Sequence, residues 1–306
     1  MIKKTIYLGN PYYLRIKDQQ LELQIPEASG IDRTLTKKIP LEDLGILILD
    51  HQQITLSHAV LQKAAQYNIA FISCDENHLP SSLQLPLEGH TLQQERFRNQ
   101  IEASEPLKKQ LWQQTVKAKI RNQAALLKKV GHQETAQSLD FFANDVNSGD
   151  TNNLEARAAA LYWKTIFSEF IPDFTRERIG FFPNNFLNYA YAIIRATVAR
   201  SLVGSGLLPT LGIHHRNKYN AYCLADDIME PFRIYADELI YDIISNAKGE
   251  NLELDKQGKA LLLGLPAKEI FINKLRSPMI VGLQRCTASL AQCYDGENRK
   301  LSYPEM

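Results

Sequence analysis

The segment from Gly212 to Arg233 concentrates side chains that are able to bind a cation. It contains two adjacent histidines, His214 and His215, followed by Asp227 and Glu230. Asp227 and Glu230 are three positions apart, so a helix presents both carboxylates on one face. An upstream histidine can fold back toward them across the polar loop that lies between. Imidazole and carboxylate groups together are suitable ligands for Mn²⁺ or Mg²⁺, so the segment predicts a metal site.

The same spacing also has a purely structural interpretation. Asp227 as the N-cap of a helix, with Glu230 at its third position, forms a capping box. Pro231 agrees with this interpretation, because proline is tolerated near the start of a helix. The two interpretations are not exclusive, since a capped helix start can also present a carboxylate to a metal. Spacing alone leaves both open.

A second carboxylate, Glu155, stands at the start of a predicted helix rich in alanine. The residues that follow it on the same helical face are apolar or aromatic, namely Ala159, Tyr162 and Ile166. Glu155 is therefore predicted to point toward packed surface, where a carboxylate needs a partner. That partner is either a metal ion or an arginine such as Arg157 or Arg195. Asn152 and Asn153 are predicted to cap the helix.

A third cluster, residues 184–191, combines asparagines with aromatic side chains and includes Asn188 and Tyr189. Such side chains contact bases or sugars in nucleic-acid-binding proteins, but the same pattern is also typical of core packing with helix caps. The chain has no GxxxxGK[ST], GxGxxG, GxSxG or HExxH motif. ATP-driven and nicotinamide chemistry therefore have no support.

The elements that must position these residues fall into two regions. In the first 75 residues, β-favouring runs predict strands over 2–8, 12–17, 20–25, 44–49 and 69–73. The run Leu44–Leu49 is continuously apolar, which is typical of a strand covered on both faces. Ser57 is predicted to cap a helix over 58–67. The sequence thus predicts a small, mostly-β domain over residues 1–75.

Residues 76–92 carry prolines and serines with few helix signals, and they are predicted to be a linker. From residue 93 the pattern becomes helical, with predicted helices over 93–101, 106–130, 134–142, 154–170, 185–203, 227–245, 256–263 and 278–294. No repeat of 20–50 residues is visible, which argues against a solenoid. The predicted fold class is α+β, with the small N-terminal mostly-β domain followed by a larger all-α catalytic domain over 93–306.

Charge is unevenly distributed, although the net charge is only +1. Residues 106–133 contain no acidic side chain and seven cations: Lys108, Lys109, Lys117, Lys119, Arg121, Lys128 and Lys129. A local field of this kind attracts polyanions, so the segment is predicted to bind DNA backbone. The alternative is a merely solvated helix face. The lack of acidic residues for pairing four positions apart favours DNA binding.

Composition excludes several classes of protein. Hydrophobic residues make up 44% and charged residues 23% of the 306, which excludes wholesale disorder. No apolar stretch approaches the roughly 18 residues of a membrane span, and the N-terminal lysines precede no apolar run typical of a signal peptide. The four cysteines form no CxxC pair, which is expected of buried thiols in a reducing compartment. A cytoplasmic location is therefore expected.

Taken together, the three clusters resemble the CRISPR-associated endonuclease/integrase family ("Cas-one"), the catalytic subunit of the spacer-acquisition complex. The residues that carry the resemblance are Leu154-Glu155-Ala156-x-Ala158-Ala159, Asn185-x-Leu187-Asn188-Tyr189-x-Tyr191, and Gly212-x-x-His215 followed by Leu224-Ala225-x-Asp227-x-Met229-Glu230-x-Phe232-Arg233. A small β domain before a helical catalytic domain is the architecture of that family, so the resemblance covers the chain. Residues 212–233 look most like the branch found in type II systems.

The resemblance implies a single divalent metal ion, Mg²⁺ or Mn²⁺, held by Glu155, His215 and Glu230. His215 is preferred to His214 because the family pattern places its histidine three residues after the glycine. Further residues are implied to support the metal or to line the site: Asp227, Asn188 and Tyr189.

The implied reaction inserts short DNA fragments (spacers) into a CRISPR array through attack of a 3′-hydroxyl on a phosphodiester. Water in place of the hydroxyl gives nuclease activity from the same site. The implied partners are spacer-precursor DNA, the CRISPR repeat, a second copy in a homodimer formed through the β domains, a small second adaptation protein, and the type II effector nuclease, with no membrane. Two alternatives stay open: a structure-specific, metal-dependent DNA nuclease in repair, and a non-catalytic DNA-binding scaffold.

Overall fold

The computed structural model describes residues 3–25, 36–76, 80–248, 250 and 252–306. The chain divides into two compact units, Met1–Thr91 and Leu92–Met306. An N-terminal strand-rich region is followed by a helical region, so the predicted α+β fold class is confirmed. In the described part of the chain, no helix is both long and apolar enough to cross a bilayer.

The first unit contains eight strands among its described residues and one α-helix, α1 (His58–Gln66). The strands are β1 (Lys4–Leu8), β2 (Tyr13–Lys17), β3 (Gln20–Gln24), β4 (Lys37–Pro40), β5 (Leu44–Leu49), β6 (Thr55–Leu56), β7 (Ala70–Cys74) and β8 (Pro80–Gln84). The predicted helix and five predicted strands are present. Ile2, the first residue of the predicted first strand, lies outside the described residues.

These strands form two sheets. One has the order β1-β5-β7-β8, in which β5 runs parallel to both β1 and β7 while β8 is antiparallel; the other has the order β4-β3-β2-β6. Leu44 to Ile48 are buried in the middle of the first sheet, as the continuous apolar run predicts. Apolar side chains from both sheets and α1 make the core of this unit, including Leu14, Leu21, Leu47 and Val60.

The predicted linker over 76–92 needs a correction. Residues 80–84 are not a linker but strand β8, whose residues from Pro80 to Gln84 pair with β7. Serines and prolines gave a turn-like composition, yet an edge strand tolerates them because one of its sides makes no ladder hydrogen bonds. Pairing with a partner strand, which composition does not reveal, decided the structure here.

The second unit is mainly helical. Its α-helices are α2 (Gln93–Glu102), α3 (Glu105–Lys129), α4 (Gln133–Asp145), α5 (Leu154–Ile166), α6 (Asn184–Gly204), α7 (Cys223–Met229), α8 (Ile234–Asn246), α9 (Lys256–Leu262) and α10 (Met279–Tyr294). Helix α6 is buried along nearly its whole length, and α7, α8, α9 and α10 pack around it. Helix α3 packs against α4, α5 and α8. Most predicted helices are therefore confirmed.

Two expectations for this unit are wrong. The unit is not all-α, because β9 (Glu269–Ile272), β10 (Leu275–Pro278) and β11 (Pro304–Glu305) form a small antiparallel sheet in the order β10-β9-β11. The predicted continuous helix over 227–245 is also interrupted. A 3₁₀ turn, Glu230–Phe232, separates α7 from α8. Pro231 stands in this turn, and proline cannot donate the backbone hydrogen bond that an uninterrupted α-helix requires.

Candidate active site and metal centre

Glu155 lies in the first turn of α5, which a carboxylate from the preceding loop caps. Asp150 accepts hydrogen bonds from the backbone N–H groups of Leu154 and Glu155, both at 2.9 Å. Asn153 stands at the N-cap position, as expected, with a left-handed backbone, but its side chain makes no capping hydrogen bond. Capping by Asp150 fixes the end of α5 from which Glu155 projects.

Glu230 opens the 3₁₀ turn between α7 and α8 and is buried. Asn122 of α3 holds this turn by donating its side-chain N–H to the carbonyl of Pro231 at 3.0 Å. Arg233 lies 3.0 Å from Glu230 Oε1. The interruption of the helix therefore places the Glu230 carboxylate beside α3.

Lys119 of α3 contacts both glutamates. Its Nζ makes a short ion pair with Glu155 Oε1 and lies 2.7 Å from Glu230 Oε2, while only 11% of its side chain is exposed. The partner that Glu155 was expected to need is thus Lys119, and neither Arg157 nor Arg195 takes this role. Arg195 pairs with Asp226 instead, at 2.6 Å. Two carboxylates from distant parts of the chain meet at one ammonium group.

Lys119 and Glu230 carry opposite charges, and each of them affects the pKa of the other. Burial opposes the charged form of Lys119, but Glu230 and Glu155 outweigh it, so the pKa of the ammonium is raised. Burial likewise raises the pKa of Glu230, but Arg233, Lys119 and His215 pull that pKa below its ordinary value. Glu230 is therefore held ionised in a buried position, which is costly unless cations lie beside it.

Asp227 of α7 is fully buried, and its carboxylate makes hydrogen bonds to the turn that carries the two histidines. Its Oδ2 accepts from the backbone N–H groups of Ile213 and His214 at 2.6 and 2.9 Å, and its Oδ1 lies 2.5 Å from His215 Nδ1. The capping-box interpretation of Asp227 and Glu230 is wrong, because α7 begins four residues earlier at Cys223. The non-catalytic DNA-binding scaffold, the alternative in which these two carboxylates only cap a helix, loses that support.

Gly212 is required at the start of this turn for a steric reason. A Cβ built at this position would lie 2.4 Å from the His215 carbonyl oxygen and 2.9 Å from Asp227 Oδ2. Both distances are well inside van der Waals contact, so no other residue fits without moving the backbone. The Gly-x-x-His pattern of the sequence therefore has a geometric basis.

The two histidines have different surroundings. The ring of His214 stacks on Trp112 of α3, with centroids 4.2 Å apart and planes nearly parallel. Burial lowers the pKa of His214, whereas the hydrogen bond to Asp227 raises the pKa of His215 against the effect of burial. In the neutral form of the His215 ring, Nδ1–H donates to the Asp227 carboxylate oxygen, and Nε2 keeps its lone pair. This is the arrangement that metal-binding histidines commonly have.

Asn188 and Tyr189 of α6 have contacts elsewhere. Asn188 accepts a hydrogen bond from Arg176 at 2.7 Å and donates to the carbonyl of Arg178, so it fastens the loop before α6. Tyr189 is fully buried, and its ring faces the Lys259 ammonium at 5.7 Å. Sequence patterns indicated this cluster, but the contacts described here place the two side chains in loop anchoring and core packing.

The seven cations of residues 106–133 do not form one exposed stripe. Lys119 points into the site, which corrects its predicted contact with DNA backbone. Lys128 and Lys129 lie 2.5 Å from Asp140 and Glu238. These acidic partners come from α4 and α8, so the absence of acidic residues within the segment did not mean that the lysines lack partners.

Two further cations, Arg216 and Lys218, lie beside His215, and the sequence pattern did not single them out. A cleft of about 490 Å³ is lined by His215, Lys108, Arg216 and Lys218, together with amide side chains such as Gln100 and Asn217. Arg216 pairs with Glu105 at 2.8 Å. The signal available in the sequence was the basic pattern directly after the two histidines. This cleft joins a positive surface to the histidine turn.

The fit of the site to a divalent metal depends on the arrangement and the chemistry of its donor groups. Within the part of the chain that the structure describes, no three His, Cys, Asp or Glu side chains are arranged to hold a metal ion. The chemistry of the groups fits nevertheless. Glu230 Oε2 is buried and, in the described part of the chain, has no partner of hydrogen-bonding geometry, while the Lys119 ammonium lies beside it as an ion pair. Two carboxylates that already surround one cation are suitable oxygen ligands for Mg²⁺ or Mn²⁺.

Comparison with solved structures defines the class of the fold. The chain is similar to a casposase bound to integration product, with a TM-score of 0.78 and 18% identity, over 98% of this chain and 92% of that one. It is also similar to a Cas1 protein from Thermotoga maritima, with a TM-score of 0.75 and 19% identity, over 96% and 98% of the two chains. The fold is thus the one shared by Cas1 proteins and a casposase.

Sequence comparison identifies the family. The family model described as CRISPR associated protein Cas1 matches residues 6–277. The CRISPR-associated endonuclease Cas1 of Neisseria meningitidis serogroup C (strain 8013) is 34% identical, over 100% of this chain and 97% of that protein. The chain belongs to the Cas1 family. The resemblance drawn from the three sequence clusters is therefore confirmed.

Proposed function

We propose that this chain is a metal-dependent DNA integrase and endonuclease of CRISPR adaptation, of the type II-system branch. The observation that carries the proposal is the convergence of Glu155 and Glu230 on one cation, beside a turn that carries His215. Membership of the Cas1 family and the similarity to an endonuclease of that family support the DNA chemistry.

Glu155, His215 and Glu230 are the proposed ligands of one Mg²⁺ or Mn²⁺ ion. When bound, such an ion supplies Lewis acidity toward a phosphoryl oxygen. Asp227 is the proposed supporting residue, because it holds His215 Nδ1 and leaves Nε2 free to act as a ligand. Arg233 keeps Glu230 ionised through its own charge. Asn188 and Tyr189 are proposed as supporting residues, which act through the loop before α6 and the core that they organise.

The proposed reaction is a phosphodiester exchange. The 3′-hydroxyl of the incoming fragment gives up its proton as its oxygen forms a new bond to phosphorus, the existing phosphorus–oxygen bond breaks, and the departing 3′-oxygen takes up a proton in exchange. One phosphodiester replaces another, so the reaction needs no nucleotide cofactor. Attack by water at the same phosphorus gives hydrolysis.

DNA backbone is the proposed ligand of the surrounding cations. From the basic segment these are Lys108, Lys109, Lys117, Arg121, Lys128 and Lys129, to which the structure adds Arg216 and Lys218. Binding through such contacts depends on salt, because each neutralised phosphate releases counterions.

The proposed assembly is a homodimer that joins a small second adaptation protein on DNA, with the type II effector nuclease as a further partner. A solved complex named Cas6-RT-Cas1–Cas2 supports the second adaptation protein in this proposal; the chain covers 36% of the matched chain there, at a TM-score of 0.73 and 20% identity. The composition of this chain's own complex is part of the proposal.

The test is a strand-joining assay with a short DNA duplex, a repeat-bearing plasmid and Mn²⁺, with and without the second adaptation protein. Joined and hydrolysed products are counted separately, which separates an integrase from a repair nuclease. Glu155→Gln and Glu230→Gln should abolish joining while DNA binding is retained. Glu134→Gln, at an exposed carboxylate in the first turn of α4, is the matched control and should join normally. Normal joining by Glu155→Gln would reject the proposed site.

A further inference from the structure

Lys119 occupies an unusual position for a residue of a basic, solvent-facing segment. Its ammonium makes ion pairs with Glu155 and Glu230, and its side chain is nearly buried. The other lysines of α3 with described ion pairs, Lys108, Lys128 and Lys129, are two to six times more exposed and each pairs with one carboxylate. Lys119 therefore has a role that the general charge of the segment does not explain.

Electrostatics indicates what that role is. Two glutamates brought this close in a buried site repel each other unless a positive charge lies between them. Lys119 supplies one such charge, and Arg233 supplies a second at Glu230. The same carboxylate oxygens are those that a divalent cation would bind. An ammonium group and a divalent ion cannot share them closely, because like charges in a site of low dielectric repel strongly.

We propose that Lys119 is the resident counter-cation of the metal centre: it holds Glu155 and Glu230 together before the metal binds, and its ammonium is displaced when the metal enters. The inference rests on the proposed function, since it assumes that these glutamates are metal ligands. It makes Lys119 a positioning residue that competes with the metal, in place of a contact to DNA.

The structure provides room for the displaced group. A cavity of about 30 Å³ adjoins Lys119 and is also lined by Gln123, Tyr191 and the buried carboxyl of Asp237. This is about the space that one water molecule needs. A lysine has a flexible four-carbon stem, so its ammonium can move toward the Asp237 carboxyl in this cavity, which Arg233 also lines.

The proposal predicts that Lys119 has opposite effects on the stability of the metal-free site and on its affinity for a divalent ion. Lys119 keeps the metal-free site folded, but it reduces the affinity of the site for a divalent ion. Its removal should tighten metal binding and, at the same time, make the metal-free protein less stable. A lysine with only a structural role would produce the second effect without the first.

The experiment compares Lys119→Met with the full-length wild type in direct Mn²⁺ titrations, without DNA, by calorimetry and electron paramagnetic resonance. Thermal unfolding is recorded in chelator and in Mn²⁺. Lys119→Met should bind Mn²⁺ at least about tenfold more tightly. Its unfolding temperature in chelator should be several degrees below that of the wild type. Mn²⁺ should raise the unfolding temperature of the variant more than that of the wild type. Lys164→Met, the same change at an exposed position of α5, is the matched control and should match the wild type in both measurements.

Three outcomes would overturn the inference. Equal or weaker Mn²⁺ affinity in Lys119→Met rejects displacement, and a loss of stability that Mn²⁺ does not restore assigns a structural role only. If Lys119→Met fails to fold, Lys119→Gln provides the same comparison, because glutamine removes the charge while keeping a hydrogen-bonding group. Absence of Mn²⁺ binding in the wild type would reject the metal centre of the proposed function and this inference with it. Mn²⁺ binding in the wild type without tightening in the variants rejects this inference alone.

Discussion

The carboxylate of Asp227 lies 2.5 Å from Nδ1 of His215. It also accepts hydrogen bonds from the backbone N–H groups of Ile213 and His214, in the turn that leads to His215. One buried side chain thus fixes both the path of the turn and the orientation of the imidazole ring. Carboxylates that bind the second nitrogen of a histidine in this way hold its tautomer and its direction. The role of Asp227 is therefore to present His215, and this role leads directly to the first prediction.

Asp227→Asn should reduce strand joining and Mn²⁺ affinity by roughly 10–100-fold, the usual effect of removing a group that orients a metal-binding histidine. An amide lacks the charge and can turn an N–H toward His215, so the ring loses its fixed direction. Asp226→Asn is a matched control at the adjacent position, where the carboxylate pairs with Arg195 and Asn220. Equal activity in the two variants would show that Asp227 does not orient His215.

The two neighbouring histidines should titrate on opposite sides of the ordinary histidine pKa of about 6.5. Burial lowers the pKa of His214, and the hydrogen bond to Asp227 raises the pKa of His215. Proton NMR of the metal-free protein measures both, and His214→Asn and His215→Asn assign the resonances. Asp227→Asn should lower the titration midpoint of His215.

These shifts also have opposite effects on stability. Since the pKa of His215 is raised on folding, its contribution to stability is present below about pH 6.5 and is lost as the pH rises through its folded pKa. The lowered pKa of His214 makes folding less favourable as the pH falls through about 6.5. A pair of histidines with the same midpoint would contradict the described environments.

The cations of the cleft beside His215 should contribute to DNA binding. Arg216→Ala combined with Lys218→Ala should weaken binding to DNA of any sequence. The slope of log affinity against log salt concentration should become shallower by the contribution of about two phosphate contacts. Affinities measured at several salt concentrations provide the slope. Lys164→Ala combined with Lys274→Ala removes the same charge from exposed positions on α5 and at the turn between β9 and β10. A slope that the Arg216 and Lys218 substitutions leave unchanged would remove the cleft from the DNA path.

The core of the first unit allows a test of stability. Leu47 of β5 is 2% exposed and packs in that core. Leu47→Ala should reduce the free energy of unfolding by about 2–5 kcal/mol, because truncation leaves a cavity. Leu87→Ala, at a side chain that is 89% exposed, should change it by less than about 0.5 kcal/mol. Urea unfolding followed by circular dichroism measures both, and similar midpoints would contradict the described packing.

Local patterns were sufficient to predict much of this protein. The continuous apolar run of Leu44–Leu49 identified a strand covered on both faces, with the bounds that the structure has. Helical periodicity identified the helices that carry the candidate residues, because burial of one helix face leaves a regular trace in the sequence. The motifs around Glu155, Asn188 and His215 identified the family. All these signals depend on residues close together in the chain.

Only the tertiary structure decided the contacts between distant segments. It turned Lys119 from a predicted DNA contact into the partner of two glutamates, and it placed Asp227 inside a helix as the support of His215 instead of at a helix cap. It also supplied acidic partners for Lys128 and Lys129 from neighbouring helices. The short strands β9, β10 and β11 likewise exist through mutual pairing. The physical reason is the same in each case: the charge, hydrogen bond or strand that satisfies these groups comes from a part of the chain that the local pattern does not contain.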